Sequence, residues 1–292
     1  MTAIGNHIVV LNSIDSSNNY AMQQVHAGLA EHGYAWFALE QTAGKGQRGK
    51  EWKGTKAENI AVSVVLETSK LGIGQQFRLS AAVAVGVLNF FSEYAGAGCS
   101  IKWPNDLYWG DRKAGGILIE NVIGLPSTVD RPQSTYDRAL LAGGMQEQPA
   151  DLLMHLNQQQ PTVDVGRLTV GSVWKWAVAG IGININQTRF PDHLPNPISL
   201  HHITGKKYEM MELVSKLCTC LEVQWQLLMQ GNWDTILDNY NRHLYKKGAA
   251  VRLRKNNVVM PCTIRGVSEA GKLLIAEDET VAFDFGEVSW EL

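Results

Sequence analysis

Hydrophobic residues follow two different periods along the first 246 residues of the chain. Apolar side chains three or four positions apart predict helices, whereas short apolar runs rich in β-branched residues predict buried strands. Helices are predicted over residues 18–31, 75–94, 208–230 and 233–245. Strands are predicted over residues 8–11, 34–39, 59–67, 115–122 and 174–185. This order of elements predicts an α+β domain with a mixed sheet and helices against one face.

After Lys247 the pattern changes to short strands separated by turn-forming Gly and Asn residues. These strands are predicted over residues 251–254, 258–267, 272–276 and 281–285. Several short strands with frequent turns are typical of a small barrel or sandwich. We therefore predict a domain of residues 1–246 followed by a second domain of residues 247–292.

Residues 123–173 fit neither pattern, because four prolines and a glutamine run interrupt the segment. We interpret this segment as a long insertion that joins two strands. Loops of this length are usually functional or disordered.

The amino-acid composition and the net charge indicate which broad class of protein this chain belongs to. The chain has 292 residues, a formal net charge of −2 and 45% hydrophobic residues, which predicts a globular protein rather than one that binds nucleic acid. No apolar run approaches the roughly 20 residues needed to span a bilayer, and the N-terminus lacks the pattern of a signal peptide. The four cysteines are expected to be buried thiols, and we expect a cytoplasmic protein.

The most informative segment is a glycine-rich loop at residues 41–52, with the sequence QTAGKGQRGKEW. It contains G-x-G-x-x-G and G-x-x-x-x-G-K, which both occur in phosphate-binding loops. A P-loop requires Ser or Thr where this chain has Glu51, and a dinucleotide-binding loop requires a helix where a strand is predicted from Asn59. A kinase loop would need further catalytic motifs, and we interpret the kinase-like triplet at residues 284–286 as coincidental.

The same loop still has the chemistry of an anion-binding site. Its glycines leave backbone N–H groups accessible, and Lys45, Arg48 and Lys50 add positive charge. The alternative interpretation is a flexible basic loop on the surface.

Four other motifs accompany the loop: D-S-S-N at residues 15–18, K-W-P-N-D-L at 102–107, R-K-A-G-G-I-L-I-E at 112–120 and G-I-G-I-N-I-N at 180–186. Each alone has an ordinary explanation, such as a helix cap, a turn or a solvated lysine. Together and in this order they resemble the motifs of the biotin protein ligase family. The resemblance extends from Asp15 to the C-terminus except for the insertion, and residues from Lys247 resemble the small SH3-like barrel of that family.

The resemblance implies a set of site residues. The positions that match biotin-binding residues of the family are Ser16, Ser17, Asn18, Gln41, Lys45, Gly46, Gln47, Lys113, Gly116 and Gly182. The positions that match residues binding ATP or the adenylate are Gly44, Lys45, Gly46, Gln47, Arg48, Gly49, Trp52, Asn105 and Asn184. Lys113, Lys102 and Asp106 match catalytic positions, and Asp106 is the candidate Mg²⁺ ligand. Hydroxyl and amide groups suit the ureido ring of biotin, which has two N–H donors and one carbonyl.

The resemblance also implies a reaction in two steps. The biotin carboxylate attacks the α-phosphate of ATP, which gives biotinyl-5'-AMP and pyrophosphate. Lys113, together with Lys102 or the cations of the loop, is expected to neutralise the developing charge, and Mg²⁺ would share this task. The glycine-rich loop is expected to close over the adenylate and exclude water. A lysine of the biotin carboxyl carrier protein then takes the biotinyl group, and AMP leaves.

Two features depart from the family pattern. Gln47 stands where the family usually has arginine, which predicts weaker retention of the adenylate, with Arg48 and Lys50 compensating in part. A comparison of adenylate release from the wild type and Gln47→Arg tests this hypothesis. The second departure is the insertion, for which a disordered flap, a docking element for the carrier and an oligomer contact all remain open, as does the choice between a monomer and a homodimer.

Three rival functions fit the sequence less well. Only residues 1–14 precede the first motif, and we therefore do not expect a DNA-binding repressor domain. A lipoate or octanoate ligase would share the fold, but its arginine-led, serine- and glycine-rich motif is missing. A degenerate homologue that binds biotin without turnover is disfavoured by Lys113, Asp106 and Asn184. The adjacent His201 and His202 lack a third nearby metal ligand, and we interpret them as surface residues.

Overall fold

Two sheets organise the residues that the computed structural model describes, which are residues 2–124, 173–276 and 280–291. The larger sheet has seven strands in the order β1-β2-β3-β7-β6-β5-β4. Its strands are β1 (His7–Leu11), β2 (Tyr34–Ala38), β3 (Asn59–Glu67), β4 (Cys99–Lys102), β5 (Asp106–Trp109), β6 (Arg112–Gly124) and β7 (Val173–Asn184). Strands β1 and β2 are parallel, whereas β3 is antiparallel to both of its neighbours. The sheet is therefore mixed, as the order of elements predicts.

Alternation along the strands divides the sheet into two faces with different contents. One face presents Val62, Val64 and Ala179, among others, to the main hydrophobic core. The helices of that core are α2 (Gln76–Ala95), α3 (Leu200–Thr204), α4 (Met210–Met229) and α5 (Trp233–Arg242). Helix α2 has apolar residues on almost every side, and it packs against α4, α5 and strand β4. This face is the hydrophobic side of the domain.

The opposite face of the same sheet carries the first helix and leaves part of the sheet open. Helix α1 (Ser17–His26) packs on β2 and β3, where Ala21 and Val25 form a smaller cluster with Val65. The prediction that the helices lie against one face is therefore wrong for α1. Its apolar stripe is short, and alternate residues of β2 and β3 turn to either side of the sheet. Apolar residues therefore lie on both faces of the sheet, and helices pack against both.

The C-terminal residues form the second sheet. Its strands are β8 (Ala250–Lys255), β9 (Val258–Val267), β10 (Leu273–Ala276), β11 (Thr280–Phe283) and β12 (Ser289–Glu291), in the order β11-β10-β9-β8-β12. All four strand pairs are antiparallel. A sheet of this kind is compatible with the predicted SH3-like domain. Residues 1–122 and 174–292 together make one compact unit, and the boundary at residue 246 remains a prediction.

The match between predicted and observed elements depends on how strong the local pattern is. Strands β3 and β9 have the predicted bounds, because both are runs of alternating or continuous apolar residues. Strands β4 and β5 were not predicted, since each has only four residues on either side of a turn. Most of the insertion predicted for residues 123–173 lies outside the described residues. Among the described residues, no helix is both long enough and apolar enough to cross a membrane.

Candidate active site

The site is built around the N-terminus of helix α1, on the face of the sheet that carries that helix. Ser16 caps the helix, because its side chain accepts a hydrogen bond from the backbone N–H of Asn19. The N–H of Ser17, another free donor of the first turn, donates to Oε1 of Gln41 over 2.7 Å. This bond ties the start of the glycine-rich loop to the helix and fixes which end of the Gln41 amide faces Ser17.

A cluster of buried polar side chains lies beside this cap. The Nδ2 group of Asn18 donates to Oε2 of Glu120 over 2.9 Å and to the carbonyl of Leu118 over 3.4 Å. The hydroxyl of Ser63 lies 2.6 Å from Oδ1 of Asn18 and 2.8 Å from Oγ of Ser17. Helix α1 and strands β3 and β6 thus each contribute to one hydrogen-bonded group. Protein partners hold both ends of the Asn18 amide, so this side chain orients the cluster.

Glycines in β6 and β7 leave the centre of the sheet uncovered next to the cluster. Gly116, Gly180 and Gly182 are each partly exposed, although the adjacent Ile117 and Ile181 are buried. A Cβ atom on Gly182 would lie 2.5 Å from the Trp52 ring, and a Cβ atom on Gly180 would overlap the amide of Asn18. The bare backbone of β7 therefore seats Asn18 and Trp52 side by side. This glycine strip is the floor of the site.

The glycine-rich loop closes on itself above the floor. The N–H of Trp52 donates to the carbonyl of Gly44 over 2.8 Å, and the N–H of Gly46 donates to the carbonyl of Lys50 over 2.6 Å. Nζ of Lys45 lies 3.9 Å from Oε1 of Glu120, so the loop also faces the polar cluster. Both side chains are partly exposed, and the pair contributes little to stability. It places a cation at the edge of the strip.

Arg48 points away from this strip, towards the C-terminal sheet. Its guanidinium lies 4.5 Å from the centre of the Phe285 ring, and Nη2 donates to the Phe285 carbonyl over 3.2 Å. Gly286 has a φ of 94°, and a Cβ atom there would overlap the guanidinium. Phe285 and Gly286 thus form the surface on which Arg48 packs. Both residues belong to the triplet that we interpret from the sequence as a coincidental match to a kinase motif.

Two lysines and one carboxylate lie at the other end of the strip. Nζ of Lys113 lies 2.7 Å from Oδ1 of Asp106, and both groups lie next to the bare Cα of Gly116. Each side chain is about one-third exposed, so a bound anion can reach the lysine. The backbone of Lys113 is fixed as well, because it exchanges two hydrogen bonds with Asn196 and Ile198. A bound anion would compete with Asp106 for this lysine.

Lys102 lies in a more enclosed place than the sequence motif indicates. It is 9% exposed and donates to the Tyr108 hydroxyl over 3.1 Å. Its Nζ lies over the rings of Tyr108, Tyr245 and Trp290 at distances of 4.9 to 5.9 Å. Burial, reinforced by the neighbouring charges of Lys113 and Lys50, lowers the pKa of Lys102 to about 8, while Asp106 opposes this change. The lysine is a cation near neutral pH that loses its proton easily.

Asn105 and Asn184 support the site through backbone contacts. The side chain of Asn105 donates to the carbonyl of Ile117, which joins β5 to β6. The side chain of Asn184 donates to the carbonyl of Ile198 over 3.0 Å. Ile198 in turn holds the backbone of Lys113. Both asparagines are buried, and each positions a strand or segment that carries a charged group.

A resident metal site is not formed by these side chains. Among the residues that the structure describes, no group of three or more His, Cys, Asp or Glu side chains could hold a metal ion. Asp106 is a lone carboxylate beside two lysines. Proteins often bind Mg²⁺ through one or two carboxylates together with the phosphates of a nucleotide, and Asp106 fits that mode.

The structure brings most of the predicted residues to one face. Ser16, Ser17, Asn18, Gln41 and Lys45 lie at the helix end of the strip, and Lys113, Asp106 and Gly116 lie at its other end. Arg48 and Lys102 are near but engaged by the C-terminal residues. Sequence reasoning missed Ser63, Gly180, Tyr245 and Trp290 as contributors. Glu120 and Gly180 lie within the motifs at residues 112–120 and 180–186, which could have identified them. For Ser63 the only signal in the sequence is a polar residue within an apolar strand.

Comparisons with known proteins show what this chain is similar to. Residues 10–129 match the model of the Biotin/lipoate A/B protein ligase family, and this segment contains the polar cluster, the loop and the Lys113–Asp106 pair. Over this segment the chain is therefore similar to that family.

Individual relatives are similar to this chain over different shares of its length. The chain is 23% identical over 281 residues to the bifunctional ligase/repressor BirA of Bacillus subtilis, an alignment that covers 95% of this chain and 72% of that protein. It is 37% identical over 110 residues to the biotin–[acetyl-CoA-carboxylase] ligase of Paracoccus denitrificans, covering 37% and 44% of the two chains. The structure of the Aquifex aeolicus biotin protein ligase in complex with biotin and ATP matches with a TM-score of 0.70 and 20% identity, covering 98% of this chain and 99% of that one. The last comparison shows that the fold is shared.

Proposed function

We propose that this chain activates biotin with ATP to give biotinyl-5'-AMP and then transfers biotin to a lysine of a biotin carboxyl carrier protein. The observation that carries the proposal is the arrangement of two chemically different ends on one glycine strip. Hydroxyl and amide groups gather at Gly180, whereas Lys113 lies at Gly116 and Lys102 is near enough for the two lysine charges to interact. A ligand with a neutral polar ring at one end and a carboxylate at the other suits this arrangement.

The polar end has donors and acceptors that suit a ureido ring. Oε1 of Gln41 is taken by the N–H of Ser17, and Nε2 of Gln41 has no hydrogen-bond partner within the described part of the chain. This Nε2 is available to donate to the ring carbonyl. The hydroxyl of Ser17 is available to accept from a ring N–H. Lys45, Gly46 and Gln47 are proposed to close over the ring from the loop.

The spacing between the two ends supports the same ligand. Asn18 contacts β6 at Leu118 and Glu120, and Lys113 approaches the same strand at Gly116. Two to four residues of a strand span about 7–13 Å. A bicyclic head group followed by a short alkyl chain and a carboxylate fits this span.

The first step brings a carboxylate to a phosphate, so positive charge is what the protein must supply. Lys113 is proposed to exchange its Asp106 partner for the biotin carboxylate and the α-phosphate, and Lys102 to add a second cation. Gly44, Arg48, Gly49, Trp52, Asn105 and Asn184 are proposed to bind or support the nucleotide side. Mg²⁺ that enters with ATP would be held by the phosphates and Asp106 and would neutralise charge on the phosphates. In the second step the acceptor lysine attacks the acyl carbon, the acyl–phosphate bond breaks and AMP leaves with the electron pair.

The test of this function is biotin-dependent exchange between ATP and pyrophosphate, with lipoate and octanoate as competing acids. Exchange with biotin alone supports the proposal, exchange with lipoate moves the protein to the other branch of the family, and no exchange with any acid indicates a binder without turnover. In Lys113→Ala we expect exchange to fall by about 10²–10³-fold, because a preorganised charge at the reacting phosphate is lost. Transfer is then followed with a purified carrier domain.

A further inference from the structure

Ser63 belongs to none of the sequence motifs, yet it connects the two polar residues at the end of helix α1. Its side chain is 0% exposed, and its hydroxyl lies 2.6 Å from Oδ1 of Asn18 and 2.8 Å from Oγ of Ser17. It stands opposite Gly180 in the β3–β7 pair, where the missing side chain leaves space for Asn18. A buried hydroxyl has one proton, so it can donate to only one of its two close partners and must accept from the other.

The position of that proton follows from the neighbours of Asn18. The carboxylate of Glu120 and the carbonyl of Leu118 can only accept, so the group that faces them must be Nδ2 of Asn18. Oδ1 of the same amide therefore faces Ser63 and can only accept. The proton between them comes from Ser63. Since a serine hydroxyl has one proton, the hydrogen bond between Ser17 and Ser63 takes its proton from Ser17.

We propose that Ser63, oriented by Asn18 and Glu120, is a specificity-determining residue that makes the Ser17 hydroxyl an obligatory hydrogen-bond acceptor in the head-group site. This inference rests on the proposed function and states how the ring of the substrate is selected. The Ser17 hydroxyl donates to Ser63 and has only lone pairs left for a ligand. It accepts a ring N–H and rejects a ring oxygen at the same position, because two acceptors would face each other.

The hydrogen bonds that run from Glu120 through Asn18 and Ser63 to Ser17 form a relay. This relay keeps the direction in which each group donates its proton. All of its hydrogen bonds are buried or partly buried, so water does not compete freely for them. Nζ of Lys45 lies 3.9 Å from Oε1 of Glu120, so this carboxylate faces Asn18 on one side and a cation on the other.

The experiment compares Ser63→Ala with the wild type for biotin and for its two cyclic carbamate analogues, in each of which a ring oxygen replaces one ureido N–H. Affinities without ATP are measured by titration calorimetry, and kcat and KM are measured by pyrophosphate exchange. In the variant the Ser17 hydroxyl is released and can donate. We expect the preference for biotin over one of the carbamates to fall about tenfold, with KM for biotin raised and kcat nearly unchanged.

Two further variants separate polarity from packing. Thr68→Val is the matched control, because it removes another fully buried hydroxyl, which bonds to the carbonyl of Trp174 just after β3. We expect its selectivity to equal that of the wild type. Glu120→Gln leaves a partly exposed side chain that can donate or accept, so the Asn18 amide loses its fixed orientation. The selectivity of this variant is expected to fall about threefold, and it provides the test if Ser63→Ala does not fold.

The outcomes distinguish the relay from the function on which it rests. Wild-type protein that neither binds nor activates biotin overturns the proposed function itself. Wild-type protein that activates biotin, combined with a Ser63→Ala variant that loses affinity for biotin and both carbamates equally, overturns the relay and leaves Ser63 a packing residue. Unchanged selectivity in both Ser63→Ala and Glu120→Gln also overturns it.

Discussion

Lys102 carries its charge among three aromatic rings, and this surrounding decides its chemistry. The faces of Tyr108, Tyr245 and Trp290 attract a cation, but the loss of water costs more than these contacts return, which lowers the pKa of the lysine to about 8. Burial also raises the pKa of Tyr108 and Tyr245, so both hydroxyls stay neutral beside the lysine.

We expect kcat/KM for ATP to fall as the pH rises through about 8, because protonated Lys102 is the form that neutralises phosphate and kcat/KM reports the free enzyme. In Lys102→Arg the decline should move to higher pH, since a guanidinium stays charged. Lys56→Arg, which changes an exposed lysine paired with Glu40, should keep the wild-type profile. A flat wild-type profile from pH 7 to about 9 contradicts this assignment.

Stability gives an independent check of the same pKa. Between about pH 8 and the unfolded value near 10.4, the unfolded chain binds a proton on this lysine that the folded chain has lost. The free energy of unfolding of the wild type should therefore rise with pH in this window relative to Lys102→Met. Equal pH dependence in the two proteins would show that the folded pKa is close to the unfolded one.

At the scale of elements, the glycine strip of β6 and β7 determines where the loop rests. Trp52 ends the glycine-rich loop, and its ring lies directly on Gly182. Residue 182 has to be glycine because a side chain at this position would collide with the ring. The loop is held further by hydrogen bonds within residues 44–52, by the pair of Lys45 with Glu120 and by the packing of Arg48 on Phe285.

Gly182→Ala should displace the Trp52 ring, because the new Cβ atom would lie 2.5 Å from it. We expect KM for ATP to rise roughly tenfold and the free energy of unfolding to fall by about 1–3 kcal/mol, as in other overpacked sites. Gly74→Ala is the control, since a Cβ atom on Gly74 meets no atom within 4 Å. Both quantities are obtained from pyrophosphate exchange and denaturant titration. If the two variants behave alike, Trp52 does not need the bare strand.

At the scale of the whole molecule, the C-terminal sheet takes part in the candidate site. Arg48 of the glycine-rich loop stacks on Phe285, and Trp290 covers Lys102. The indole N–H of Trp103 donates to the carbonyl of Gly271 over 3.0 Å. Arg48, Lys102 and Trp103, which belong to the candidate site or its motifs, thus each contact a residue after 247. The hypothesis that Arg48 compensates for Gln47 has to account for a guanidinium that is held by Phe285.

Arg48→Ala should loosen the loop without changing the polar cluster. One cation–π contact and one hydrogen bond in an exposed place are worth about 1–2 kcal/mol, so hydrogen exchange of residues 44–52 should be about 5- to 30-fold faster. Lys53→Ala, which removes an exposed lysine from the end of the same loop, should exchange like the wild type. Gly286→Ala should reproduce the effect of Arg48→Ala, because its Cβ atom would occupy the seat of the guanidinium. Unchanged exchange in both variants contradicts a link through Arg48.

Local patterns in the sequence specify the strongly periodic elements and the residue types present in the site. The apolar run of β3, the long helix α2 and the four motifs were identified without coordinates, since periodicity and residue type are local properties. Strands β4 and β5 and the early end of α1 were not, because short elements depend on their partners in the sheet.

Contacts between distant segments of the chain orient the polar groups and bring them to one face of the sheet. Register across β3 and β7 sets Ser63 opposite Gly180, and a register shifted by one residue would turn Ser63 into the core. The enclosure of Lys102 by Trp290 and the seat of Arg48 on Phe285 join residues more than 180 positions apart. Such contacts leave no local pattern in a sequence. The direction of a proton between two hydroxyls depends on every neighbour in space.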